Sequence, residues 1–263
     1  MADGPLIIPA EKKYERLFSI CTIVNNWDEY GLMKESFINK GFSADCEYLV
    51  ADNSDKNNFD AYSAIRRFLQ DAAGQYVIIV HQDVRCIDSA EQLLGVLNNL
   101  EEVDRRWAIC GNAGGNGYKN FIFNIENKGE IKKSKGLPAL VTSLDENLLI
   151  IKSNCHLTLS ADLRSFHFYG TDLCIIADFL GYKCYVIDFM VAHLSAGNLE
   201  QMDAYQPAFI NTYGRKFRDR FIQTTCTKFY LSDSPSKNSI LNSPFIFFWV
   251  KAAQRFSNLI RKN

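Results

Sequence analysis

Apolar and polar positions along the chain recur with two periods. Residues 17–24 (LFSICTIV) form a nearly continuous apolar run, which suits a central strand buried on both faces. The run ends in polar Asn25 and Asn26. Residues 47–51 (EYLVA) predict a second strand closed by Asp52-Asn53-Ser54-Asp55, and residues 76–80 (YVIIV) a third that runs into His81-Gln82-Asp83. Between them Phe59, Tyr62, Ile65 and Leu69 keep a helical spacing, from an N-cap at Asn58 to a stop at Gly74. Asp88 and Glu91 make a capping-box-like pair before another helix, with Leu93, Leu94, Leu97 and Leu100 facing inward. Strands alternating with helices predict an α/β fold whose central sheet is mostly parallel and flanked by helices. Ligands bind outside the carboxyl ends of strands in such sheets, so Asn25, Asp52 and Asp83 are expected to be neighbours in space.

The pattern then loosens. Residues 106–110 and 118–125 predict strands separated by Gly111-Asn112-Ala113-Gly114-Gly115, and residues 128–135 an exposed lysine-rich turn. Strands over 139–143 and 148–152 flank Leu144-Asp145-Glu146-Asn147. A helix over 171–180 stops at Gly181, and a strand over 183–187 leads to Asp188 and His193. No internal repeat is present. The organisation expected is one main domain over 14–212 and a helical C-terminal extension over 213–263.

Charge narrows the partners. The chain has 263 residues, with Lys+Arg 29 against Asp+Glu 30, so no overall field gathers nucleic acid and any anionic ligand must be held locally. The eight cysteines, Cys21, Cys46, Cys86, Cys110, Cys155, Cys174, Cys184 and Cys226, include no CxxC pair and read as buried thiols in a reducing compartment. Residues 1–13 lack a secretory signal pattern, and no apolar run approaches the ~20 residues of a membrane span. A cytoplasmic protein is the expectation.

Three positions carry candidate chemistry. Asp83, at the mouth of a buried strand, suits a hard divalent cation that bridges two phosphates; it equally suits the capping of a loop. Asp172 falls in the first turn of its helix, where the macrodipole favours a carboxylate and a capping role competes with a catalytic one. His193 lies in a loop of small residues, where a ligand role and a structural role are both open. Mn²⁺ or Mg²⁺ would suit an imidazole and a carboxylate together once phosphate oxygens and water completed the shell.

The ordered set FSICTIVNN, YLVADNS, YVIIVHQDV, FHFYGTDLC and VAHLSAG resembles the motif series of bacterial GT-A glycosyltransferases, in particular a family-2-like group bearing HQDV in place of DxD. The resemblance covers roughly residues 17 to 200 and lies in order and spacing. It implies a GT-A fold and a nucleotide-sugar donor. It places Val24, Asn25, Asp52, His81 and Gln82 at the donor nucleotide, and Asp83 and His193 on the metal, with His81 standing where the first DxD aspartate would be. Asp172 matches the base that takes the proton of the acceptor hydroxyl in inverting members. Asp145, Gly114 and Tyr169 fall beside the donor sugar or acceptor, and Ser195 and Lys216 beside the diphosphate.

Other roles remain for several of these. A turn carboxylate at 145 and glycines at 111, 114 and 115 serve conformation as readily. Arg215, Lys216, Arg218 and Arg220 suit either a diphosphate clamp or a solvated helix face. Residues 244–263 (PFIFFWVKAAQRFSNLIRKN) suit peripheral contact with an anionic membrane, or packing on a partner. The function expected is inverting transfer of a hexose or N-acetylhexosamine from a UDP-sugar to a surface glycan, such as lipopolysaccharide O-antigen or capsule, free or lipid-linked. A nucleotidyltransferase would need a Gly-rich basic loop after the first strand, which VNNWDEYG does not supply. A degenerate GT-A-like domain that binds sugar nucleotide or glycan as a scaffold is the non-catalytic alternative.

Overall fold

A computed structural model describes residues 9, 12–117, 120–195, 199–223, 228–246 and 248. The chain divides into two compact units, residues 1–206 and 207–263.

The first unit opens with β1 (Arg16–Val24), α1 (Trp27–Asn39), β2 (Cys46–Asp52), α2 (Ala61–Asp71) and β3 (Gly74–Val80). There follow β4 (Val84–Cys86), α3 (Ala90–Val103), β5 (Trp107–Gly111), β6 (Ala113–Gly115), β7 (Phe121–Asn127) and β8 (Glu130–Lys133). Then come β9 (Ala139–Val141), β10 (Ser143–Leu144), β11 (Leu148–Lys152), α4 (Tyr169–Phe179), β12 (Lys183–Val186) and β13 (Val191–His193). α5 (Leu199–Lys216) crosses the boundary between units, with Pro207 inside it.

The larger sheet runs β2-β1-β3-β11-β5-β12-β9. β1 is parallel to β2 and β3, and β12 is parallel to β5, but β11 is antiparallel to both β3 and β5, and β9 to β12. The expectation of a mostly parallel sheet is therefore corrected: the sheet is mixed. The first strands are joined by helical crossovers, which return the chain in the same direction. Between Trp107 and Lys152 no α-helix occurs among the described residues, so the chain reverses through turns and lays β11 down the opposite way. A second sheet, β10-β6-β7-β13-β4, carries β8 on the edge of β7.

The core fills the space around the first sheet with aromatic and branched side chains. Phe18, Phe37, Phe42, Tyr76 and Trp107 are all buried there, and the Tyr76 and Trp107 rings stack 6.0 Å apart. Leu93, Leu97 and Leu100 of α3 are sealed at 0%, whereas Leu94 is only half-buried. The caps shift slightly from expectation. Asp60, not Asn58, caps α2, and Ser89 with Gln92, not Asp88 with Glu91, forms the capping box of α3. The lysine-rich stretch after Asn127 is a β-hairpin rather than a bare turn: Ile125 faces Lys132 and Asn127 faces Glu130 across it.

The second unit is only partly helical. Besides the end of α5 it holds an antiparallel pair, β14 (Arg220–Gln223) with β15 (Lys228–Leu231), and α6 (Pro235–Leu241). Most of the tail expected at a membrane, including Phe247, Trp249, Lys251, Arg255, Arg261 and Lys262, lies outside the described residues, as do Cys226, Ala196 and Gly197. No helix among the described residues is long and apolar enough to cross a membrane. The seven other cysteines are free thiols, and all but Cys46 are buried.

Candidate metal centre

Strand pairing assembles the site. β3 ends at Val80 and delivers His81, Gln82 and Asp83 to the carboxyl edge of the first sheet. β4 begins immediately afterwards and pairs antiparallel with β13, matching His193 to Val84, so His193 is held beside Asp83. The amide of Leu194 donates to the Asp83 carbonyl at 3.2 Å and closes the same clamp. β11 pairs with β3 so that Leu148 faces Val80, and the His81 amide donates to the Asn147 carbonyl at 3.1 Å. The Asp145-Glu146-Asn147 turn is thereby fixed next to His81.

His81, Asp83 and His193 each offer a ligand atom, and those atoms lie within 4.8 Å of one another. His193 Nε2 sits 3.4 Å from Asp83 Oδ2, within ion-pair range, yet this buried nitrogen has no hydrogen-bond partner among the described residues. His81 Nδ1 is 4.0 Å from Asp83 Oδ1, too far for a hydrogen bond. The His81 tautomer follows from its other nitrogen. The Tyr169 hydroxyl donates its one proton to the Glu146 carbonyl at 3.0 Å, so it must accept from His81 Nε2–H at 2.8 Å. His81 Nδ1 therefore keeps its lone pair, turned toward Asp83, and Tyr169 orients the imidazole as a carbonyl or carboxylate does behind a metal-bound histidine.

The protonation states agree with a cation site. Burial holds the His81 imidazole down to about 4, against the opposing pull of Asp83, so it is neutral at pH 7. At Asp83 burial opposes ionisation, but polar contacts with His193 and Ser195 outweigh it and hold the carboxyl well below its usual range. The three residues could hold a metal ion: a neutral imidazole, a firmly ionised carboxylate and a buried nitrogen with no hydrogen-bond partner among the described residues make a donor set with a place for a cation.

The cluster opens onto a cavity of about 1080 Å³. Its walls come from the ends of β1 (Ile23, Asn25) and β3 (Ile79, Val80), from β7 (Phe123, Ile125, Asn127), from the 144–147 turn and from the start of α4 (Tyr169, Thr171). Asn25 and Gln82 lock one another: Gln82 Oε1 accepts from the amides of Asn25 and Asn26 at 3.0 and 3.1 Å, while Gln82 Nε2 donates to Asn25 Oδ1. Asp145 and Ser195 are exposed at the cavity wall, and Glu146 is half-buried there. Water is displaced around both acids by the concave wall. Desolvation raises the Asp145 carboxyl, partly countered by His193, and pushes Glu146 up to about 8 although it accepts from the Gly170 and Tyr169 amides.

The chain is 33% identical over 203 residues to a protein of Fuscovulum blasticum named "ATP synthase subunits region ORF 6", a match covering 73% of this chain and 81% of the relative. The chain belongs to that protein's family. The relative's name states no activity. Among solved structures, that titled "Crystal Structure of A197 from STIV" is similar with a TM-score of 0.43 and 10% identity, over 68% of this chain and 86% of that one. That likeness is too slight to bear on the fold. No protein-family model matches the chain.

Family membership leaves the role of each residue to its geometry. Of the positions picked from the sequence, Asn25, His81, Gln82, Asp83, Asp145, Tyr169, His193 and Ser195 line this one cavity. Five do not, and each has a physical reason. Val24 is sealed in the core, because strand alternation sends Ile23 and Asn25 to the cavity and Val24 the other way. Asp52 turns outward and accepts from the Ser54 amide and hydroxyl, leaving Asn53 at the cavity. Gly114 packs under β10, where an added Cβ would meet the Ser143 carbonyl at 2.4 Å, and it is Ala113 that lines the cavity.

Asp172, the expected base, is 0% exposed, and its two oxygens accept from the Ser160 amide at 2.8 Å and the Ser160 hydroxyl at 2.6 Å. It faces the core side of α4, while Tyr169 and Thr171 present to the cavity. Lys216 belongs to the second unit, its Nζ over the Tyr213 ring at 4.8 Å. His167 also lines the cavity, and its buried Nε2 has no hydrogen-bond partner among the described residues.

Sequence reasoning passed over Glu146 and Asn53. The run Asp145-Glu146-Asn147 between two apolar strands was the available signal for the first, since consecutive polar residues at a strand mouth mark a cavity edge.

Proposed function

We propose that the protein is a metal-dependent glycosyltransferase of GT-A type, transferring a hexose or N-acetylhexosamine from a UDP-sugar to a hydroxyl of a bacterial surface glycan with inversion. The observation that carries the reading is the convergence of His81, Asp83 and His193 at the floor of a cavity large enough for a nucleotide sugar. The donor class comes from the motif series FSICTIVNN to VAHLSAG and its resemblance to that family.

His81, Asp83 and His193 would hold the cation, and two imidazoles favour Mn²⁺ over the harder Mg²⁺. A bound divalent ion supplies charge stabilisation to a departing diphosphate. The chain's own residues do the rest. Tyr169 fixes the His81 ring, the Asn25–Gln82 pair holds the β1 and β3 loops together, and the walls of the cavity limit the access of water to the anomeric carbon. A cytoplasmic location, facing lipid-linked acceptors at the inner membrane surface, fits this reading.

The sealed position of Asp172 favours a second reading, a GT-A-like domain that binds nucleotide sugar without turnover. One experiment separates the two. With Mn²⁺ and a panel of nucleotide sugars, the transferase is expected to release UDP from at least one UDP-sugar, and EDTA is expected to stop that release. Donor-induced thermal stabilisation with no UDP release from any sugar would leave the scaffold reading standing and the transferase reading overturned.

A further inference from the structure

We infer that Glu146 is the group that takes the acceptor's proton, in place of Asp172; this rests on the transferase reading above. Inverting transfer needs a carboxylate that touches the incoming hydroxyl on the side of the sugar away from the departing diphosphate. Four acids line the cavity: Glu29, Asp83, Asp145 and Glu146. Glu29 is paired with Arg85 at 2.8 Å. Asp83 belongs to the metal cluster, and Asp145 is exposed where Glu146 is half-buried. Between the Glu146 backbone and the metal cluster stands the Tyr169 hydroxyl, which donates to the Glu146 carbonyl and accepts from His81 Nε2.

Glu146 is also held in place, as a positioned base must be. Its Oε1 accepts from the Gly170 amide at 3.1 Å, at the N-terminus of α4, where the residue at the cap position, Phe168, makes no side-chain cap hydrogen bond. Gly170 makes room for this: a Cβ there would meet the Leu144 carbonyl at 2.5 Å and Glu146 Cγ at 3.3 Å. The missing side chain at 170 and the carboxylate leaning over it are two halves of one arrangement. The titratable groups around Glu146 are Asp145 in its own turn and Tyr169 on α4, whose hydroxyl also holds His81; Glu29, Asp83, Lys132, His167 and His193 line the same cavity. Desolvation leaves the carboxyl near the pH at which a base and its conjugate acid are both accessible.

In the step, the acceptor oxygen forms its bond to the anomeric carbon and its proton passes to the Glu146 carboxylate. The bond from that carbon to the phosphate oxygen breaks, and the diphosphate leaves with the electron pair.

The test compares the full-length wild type, Glu146→Gln and Glu146→Asp with a UDP-sugar, Mn²⁺ and a hydroxyl acceptor. Glutamine keeps the oxygen that accepts from Gly170, so Glu146→Gln is expected to bind donor with unchanged affinity while transfer falls roughly 10³-fold. Azide, an anionic nucleophile with no proton to lose, is expected to restore donor consumption in that variant. Glu146→Asp is expected to recover part of the rate, and wild-type transfer is expected to rise with pH toward a plateau above about 8. Should Glu146→Gln not fold, Glu146→Asp decides: a rate lowered at least ~10-fold with unchanged donor affinity supports the role. Transfer by either folded variant within about threefold of wild type would overturn the inference and leave the transferase reading intact. A wild type that consumes no nucleotide sugar would overturn both.

Discussion

Replacing Asp83 with alanine is expected to lower sugar transfer about a thousand-fold, equivalent to ~4 kcal/mol of transition-state stabilisation. It is also expected to erase the rise in melting temperature that Mn²⁺ and UDP together confer on the wild type. Asp83 is the single carboxylate of the cluster, held ionised by His193 and Ser195 against the burial that opposes it. Without it two imidazoles remain to hold a doubly charged cation, and His81 is neutral at pH 7. Some stability is expected to be lost at neutral pH, because a carboxyl held below its usual range stabilises the fold wherever it is ionised, while the clamp of β4 on β13, which runs through backbone hydrogen bonds, is expected to remain. Steady-state kinetics and thermal scans with and without EDTA check both halves. A variant that kept its turnover would remove the metal from the mechanism.

Asp172→Ala is expected to act on stability. Asp172 is sealed from solvent and its oxygens accept the amide and hydroxyl of Ser160, tying the segment before α4 to the first turn of that helix. Truncation removes the acceptor of the Ser160 amide and hydroxyl and opens a void, at a cost of ~3 kcal/mol. For a chain of this size that corresponds to a fall in melting temperature on the order of 10 °C. Below that lowered transition, the folded variant is expected to transfer sugar within a few-fold of wild type, measured beside Glu146→Gln at 20 °C. Loss of turnover in an Asp172→Ala protein of unchanged melting temperature would reverse the assignment and return the base to position 172.

The contrast between these two acids shows where sequence reading stops. β1, β2, β3 and β11 were legible because an unbroken apolar run such as LFSICTIV or LLIIK has few places to go except a buried strand. Asp83 and His193 were legible as a pair because each ends such a run. The direction of β11 was not, since nothing in its side chains distinguishes parallel from antiparallel pairing. Nor was the phase of α4, where one residue decides whether a carboxylate meets the cavity or the core: Thr171 lines the cavity and Asp172 is sealed. The same one-residue parity separates Val24 from Asn25 and Asp52 from Asn53. β8 escaped notice because its residues are all exposed, so no apolar face marks it. The contacts of Glu146 with Gly170 and of Tyr169 with His81 join residues 24 and 88 positions apart, which only strand pairing could bring together.

Manganese titration followed by the electron paramagnetic resonance of the free ion tests the convergence of His81, Asp83 and His193 most directly. In the presence of UDP the wild type is expected to bind one Mn²⁺ per chain, and Asp83→Ala and His193→Ala to bind it at least ~100-fold more weakly. Equal Mn²⁺ binding by the wild type and both variants would contradict a metal centre at these residues.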